Sequence, residues 1–93
     1  MKLFPGRTIV NTPGIAVPLS ESSLLVRTVS GFAFAANTDD VHVGDRRVRA
    51  RVGEASGALL DARESFTFDN VDLSEVWIDA IVANEGVTWL AQL

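Results

Sequence analysis

Cysteine is absent from this 93-residue chain, and histidine occurs once, at position 42. The first absence excludes disulfide staples and cysteine-based zinc sites; the second leaves too few ligands for a histidine-rich metal centre. No stretch approaches the roughly 18 apolar residues of a membrane span. The opening Met1-Lys-Leu-Phe-Pro-Gly-Arg7 carries charge but no apolar run of signal-peptide length, so synthesis in the cytoplasm is the expectation. Sustained 3.6-residue periodicity, internal repeats and low-complexity tracts are missing too, which argues against helical, solenoid and disordered architectures. The length bounds the chain to one domain, residues 1–93, with one small core.

What is present is apolar. Hydrophobic residues make up 47% of the chain, a high share for a small unstapled monomer and one that a subunit interface can absorb. Charge is divided. Residues 1–53 carry seven Lys/Arg against four Asp/Glu, and residues 54–93 carry one Arg against eight Asp/Glu, so +3 and −7 give the net −4. This division does not make a generally basic surface, so nucleic acid is not the expected partner. It suits oppositely charged strands pairing within one domain, or a basic face of one subunit meeting an acidic face of the next.

Short β-like runs recur about every ten residues with turn chemistry between them, which predicts an all-β fold, an antiparallel β-sandwich or jelly-roll-like small barrel. Residues 1–23 read as an N-terminal extension or as edge strands packing on a neighbouring subunit, Pro18 being suited to an edge. Leu24 to Ala36 reads as one long strand bent at Gly31, or two strands that change sheets there. Arg47 to Val52 alternates basic and apolar residues and predicts a half-buried strand. Ser65 to Asp69 predicts a strand with Phe66 and Phe68 on one face. Val76–Val82 and Val87–Leu93 predict a terminal hairpin across an Ala-Asn-Glu-Gly turn.

Chemistry-bearing candidates are few. His42 stands in a Val-His-Val run on the expected solvent face, with only carboxylates near it in sequence, and reads as an exposed or interface histidine. Arg47, Arg49 and Arg51 share one strand face. They could grip phosphate, but no aromatic residue is interleaved for base stacking; a solvated, carboxylate-paired face is the simpler reading. Gly53-Glu-Ala-Ser-Gly57 lacks the lysine and helix of a phosphate loop. Serine nucleophiles have no base and orienting partner, so no catalytic residue and no cofactor is expected. Trp77, Asp79 and Ile81 lie opposite the apolar Val76-Ile78-Ala80 face, so the strand has apolar residues on both sides. Either a loop of the chain or a second subunit covers Trp77. Trp77, Ile81, Trp89, Arg47, Arg49 and Arg51 are therefore the candidate interface residues.

The order Asn37-Thr-Asp-Asp-Val-His-Val-Gly44, Leu60-Asp-Ala-Arg-Glu-Ser-Phe-Thr-Phe68, Val71-Asp-Leu-Ser-Glu-Val-Trp-Ile-Asp-Ala80 and Asn84-Glu-Gly-Val-Thr-Trp-Leu90 resembles small β-sandwich virion proteins of tailed bacteriophages and prophages. The resemblance spans roughly residues 24 to 93. It departs at Asp39 and Asp40, where those proteins often have glycine, and at Asp61-Ala-Arg-Glu64, which replaces a Pro-Gly-Glu turn. It implies a non-enzymatic structural subunit for head decoration, head–tail joining or fibre association. Such a subunit would work in the virion as a homo-oligomer beside the major capsid protein or neck and tail components. A carbohydrate- or receptor-binding module of a tail or fibre, using an exposed tryptophan, is the other expectation.

Overall fold

β-branched and aromatic residues set every other side chain of these short runs inward, and glycine, asparagine and aspartate close the turns between them. In the computed structural model, which describes residues 2–50 and 55–93, this yields β1 (Leu3–Val10), β2 (Val17–Pro18), β3 (Leu25–Ala33), β4 (Val41–Gly44), β5 (Ala58–Leu60), β6 (Ser65–Asp72), a 3₁₀ turn (Leu73–Glu75), β7 (Trp77–Ala80) and β8 (Glu85–Gln92). The strands form two antiparallel four-stranded sheets, ordered β1-β8-β3-β6 and β2-β7-β4-β5. They pack as a sandwich and do not close into a barrel.

The ladders β1–β8, β2–β7, β3–β6 and β4–β5 are those of one long hairpin folded at the β4–β5 connection. That ribbon is rolled so that each pair lies in the opposite sheet from the next, the winding of a jelly roll. Val10, Val29, Val41, Val43, Leu73, Ile78 and Val87 are almost completely buried between the sheets. Residues 1–23 are thus not wholly an extension: β1 and β2 are edge strands of the chain's own two sheets.

The expected terminal hairpin is not formed. β7 lies between β2 and β4, while β8 lies between β1 and β3 in the facing sheet. Rolling gives the physical reason: β7 is taken up between β2 and β4 and β8 between β1 and β3, so both have their two ladder partners without each other. The corner is also fastened from outside. Asn84 takes the left-handed conformation, φ 68°, and the Glu85 carboxylate accepts from the backbone N–H of Thr38 at 2.5 Å and of Asp39 at 3.2 Å. Asn37 Nδ2 donates to the Gly86 carbonyl at 3.0 Å.

Two smaller expectations also change. Gly31 sits in unbroken register between Phe66 and Trp89, with no change of sheet, so Leu25–Ala33 is one strand. The inward phase slips one step earlier: Val26 and Val29 are both buried, opposite a β6 that contains Asn70 at φ 52°. Residues 48–50 form no strand; Val48 and Ala50 are nevertheless buried. Arg51 and Val52, the rest of that predicted strand, lie outside the described residues.

Candidate functional site

β7 does have two covered faces, and the chain itself supplies both covers. Ile78 and Ala80 point into the sandwich, which turns Asp79 to the outside of its sheet, where it is nonetheless 0% exposed. Its Oδ1 accepts from the backbone N–H of Gly14 at 3.0 Å and of Ala80 at 2.9 Å, and its Oδ2 accepts from Ala50 N–H at 3.0 Å. One carboxylate thereby holds the turn around Gly14 and the segment through Ala50 across the outer face of the β2-β7-β4-β5 sheet. Its cross-strand neighbour His42 is buried as well, with Nδ1 3.1 Å from the Ser56 carbonyl oxygen. The expectation of a solvent-facing histidine is corrected by that covering.

The six candidate interface residues are scattered. Trp77 is half-buried beside Gly44 and Pro18 in register, at an open groove of about 450 Å³ lined by Asp45, Arg46, Ser74 and Glu75. Ile81 is half-buried in the bend after β7. Arg47 is exposed and bonded to Asp45, Nη2 to Oδ2 at 2.8 Å. The Arg47 guanidinium, and after it the Arg47 backbone N–H, holds the Asp45 carboxyl below its ordinary range. Arg49 turns back on itself, Nη1 donating to the Val48 carbonyl at 2.7 Å. Arg51 lies outside the described residues. The shared arginine face is therefore not seen over 47–49, where the expected strand is replaced by a turn and a covering segment.

Trp89 has a place inside its own chain. It pairs with Gly6 on one side and Gly31 on the other, packs against the core, and donates from Nε1 to Thr8 Oγ1 at 3.0 Å. A Cβ at Gly6 would overlap the indole ring, so the glycine makes the room that the tryptophan fills. An indole held this way is not a free stacking platform for a sugar.

The uncovered surface is the outer face of the other sheet. Cross-strand partners share a face, so the ladders define three outer rows: Leu3–Gln92–Thr28–Asp69, Pro5–Leu90–Ser30–Thr67 and Arg7–Thr88–Phe32–Ser65. Leu3, Phe32 and Leu90 are 56%, 55% and 46% exposed on it. The only charged side chains in these rows, Arg7 and Asp69, occupy diagonally opposite corners. Arg7 lies 4.8 Å from the centroid of the Phe34 ring, a cation–π arrangement. Arg7 and Arg63 flank an open groove of about 490 Å³ floored by Phe32, Phe34 and Thr88.

Sequence reasoning passed over this face. The both-sides test that selected Trp77 and Ile81 also selects β3 and β8, where Phe32 stands between Gly31 and Ala33 and Leu90 between Trp89 and Ala91. Comparisons with protein-family models, with curated proteins and with solved structures returned no match.

Proposed function

We propose that the chain is a non-enzymatic structural subunit of a phage virion, acting as a homo-oligomer in capsid decoration or at the head–tail region. The observation that carries the reading is the outer face of the β1-β8-β3-β6 sheet. Leu3, Phe32 and Leu90 stand exposed on a surface whose rows hold small polar side chains and charge only at two corners. An antiparallel sheet face that remains in water usually alternates polar residues outward, and contiguous exposed apolar patches mark interaction surfaces.

The motif order over residues 24 to 93 supplies the virion half of the proposal, since the jelly roll by itself serves capsid, lectin and enzyme domains alike. Mechanistically, each copy adds apolar contact area across a subunit boundary, and the divided charge lets unlike rims meet. The test is mass-spectrometric and immunogold analysis of particles purified from a culture that carries the gene. The chain is expected in the particle at a fixed multiple of the other virion proteins. Its absence from intact particles, while it is expressed in the same cells, would overturn the reading.

A further inference from the structure

We infer that two copies of the chain pair through the outer face of the β1-β8-β3-β6 sheet, about a two-fold axis along the diagonal from Leu3 to Ser65, with Arg7 of each copy meeting Asp69 of the other. The inference rests on the homo-oligomer reading above and assigns its surface and symmetry.

A two-fold contact must be self-complementary, because the same patch serves both copies. On this face the charges are arranged for that. Arg7 lies on β1 and Asp69 on β6, three strand spacings apart and, through the ladders, four residues apart along the strands. At about 4.8 Å per strand and about 3.3 Å per residue, the separation is roughly 14 Å by 13 Å, close to square. A square can be folded onto itself along either diagonal.

Four in-plane axes are then available through the middle of the face. The Arg7–Asp69 diagonal sets each charge against the same charge of the other copy. An axis parallel to the strands sets Arg7 over Ser65 and Asp69 over Leu3. An axis across the strands sets Arg7 over Leu3 and Asp69 over Ser65. Both set each charge against an uncharged residue and leave it without a partner across the contact. Rotation about the Leu3–Ser65 diagonal exchanges the remaining two corners and forms the Arg7–Asp69 pair twice. It brings the strands of the two sheets across each other near a right angle, one of the two packing modes of stacked sheets.

The neighbours agree with this pairing. Four strands by eight residues make a face of roughly 19 Å by 26 Å, and two such faces crossed at a right angle overlap over about 19 Å by 19 Å, so roughly 360 Å² of projected surface per copy and about 700 Å² for the pair. That is the size of a weak, reversible pairing, which the two Arg7–Asp69 pairs orient. Leu90 lies close to the axis, and Ser30 and Thr67 beside it are small enough for the backbones to approach. The opposite sheet's outer face is occupied by the chain's own residues around Gly14 and Ala50, so the contact closes as a dimer.

Charge reversal tests the geometry. Arg7→Asp and Asp69→Arg each set like charges opposite one another twice, whereas the double variant restores unlike pairs with their signs exchanged. Both positions are exposed, and far-UV circular dichroism checks that each variant keeps the fold. In sedimentation velocity at micromolar concentration, the wild-type chain is expected to dimerise. Each single variant is expected to weaken dimerisation by ~10-fold or more, and the double variant to recover most of that loss. Singles without effect, or a double variant as weak as the singles, would overturn the assignment of this surface and leave the homo-oligomer reading standing. A wild-type chain that stays monomeric would overturn both.

Discussion

At the scale of single residues, the fold depends on a few side chains that complete backbone hydrogen bonds far away in sequence. Asp79 is the clearest. Without its carboxylate, the N–H groups of Gly14 and Ala50 lose their acceptor beneath the covering segments, and each unsatisfied buried donor costs ~1–3 kcal/mol. Asp79→Ala is accordingly expected to lower the unfolding free energy by about 3 kcal/mol in urea titration, with the covering segments loosened first. An Asp79→Ala protein as stable as the wild type would show that those donors find other partners. Gly6 and Gly31 act through the space they leave. A Cβ at Gly31 would meet Phe66 at 2.5 Å and the Thr88 carbonyl oxygen at 2.7 Å, and rigid backbone cannot yield as a flexible side chain does. Gly31→Ala is expected to cost about 2 kcal/mol or more, within the range for overpacking. Gly6→Ala displaces the indole of Trp89 and is expected to shift the tryptophan emission to longer wavelength. Unchanged emission in a folded Gly6→Ala protein would contradict the packing.

At the scale of elements, two aspartates respond to pH in opposite senses. Asp72 caps the 3₁₀ turn and joins it to the start of β3. It accepts from the Ser23 hydroxyl, from the backbone N–H of Ser74 and Leu24, and from the Ser74 hydroxyl, and these hold its carboxyl far below the ordinary value of 3.8. A depressed folded pKa contributes stability that is present above 3.8 and is lost as pH falls toward the folded value. Asp61 is raised, first by hydrogen bonding to Asp40 and then by that carboxylate's charge, so acidification relieves rather than weakens this pair. Acid unfolding of Asp72→Asn is expected to show a shallower pH dependence than that of the wild type below pH 3.8, and Asp61→Asn is expected to be the more stable protein at neutral pH. Reversed signs in either titration would contradict the assignments.

The elements also show what a sequence of this kind reveals. Alternation located β3, β4, β6, β7 and β8, and turn chemistry located Asn37–Asp40 and Asp61–Glu64, because both signals are local. Strand pairing is not local. Nothing in Ala83-Asn-Glu-Gly86 distinguishes a hairpin from a corner between sheets; the decision falls to Glu85 and its bonds to residues 38 and 39. Likewise Trp89 reads as a surface anchor until Gly6, 83 positions earlier, is placed beside it by the β1–β8 ladder. His42 and Asp79 looked outward by strand parity, and parity was right about direction. Their burial comes from segments that form no strand, the turn around Gly14 and the stretch through Ala50, whose alternation suggests one.

At the scale of the whole molecule, the rolled ribbon produces two unlike outer faces. One is covered by the chain's own segments, fastened to Asp79. The other is open, apolar at Leu3, Phe32 and Leu90, with Arg7 and Asp69 as the charges of its three rows and Arg63 beside the Phe32 groove. This asymmetry moves the expected interface away from Trp77, Ile81 and the arginine run, and onto the facing sheet. On the proposed pairing it also orders the molecule's response to substitution: changes near Asp79 are expected to act on folding, and changes at Leu90 or Phe32 on association.

The most direct measurement is sedimentation equilibrium of the wild type beside Leu90→Asp, with Ile81→Asp as the control on the other sheet's end of the molecule. The account predicts a dimer for the wild type and for Ile81→Asp, and a folded monomer for Leu90→Asp. A Leu90→Asp protein that keeps the wild-type mass, or an Ile81→Asp protein that alone falls apart, would contradict it.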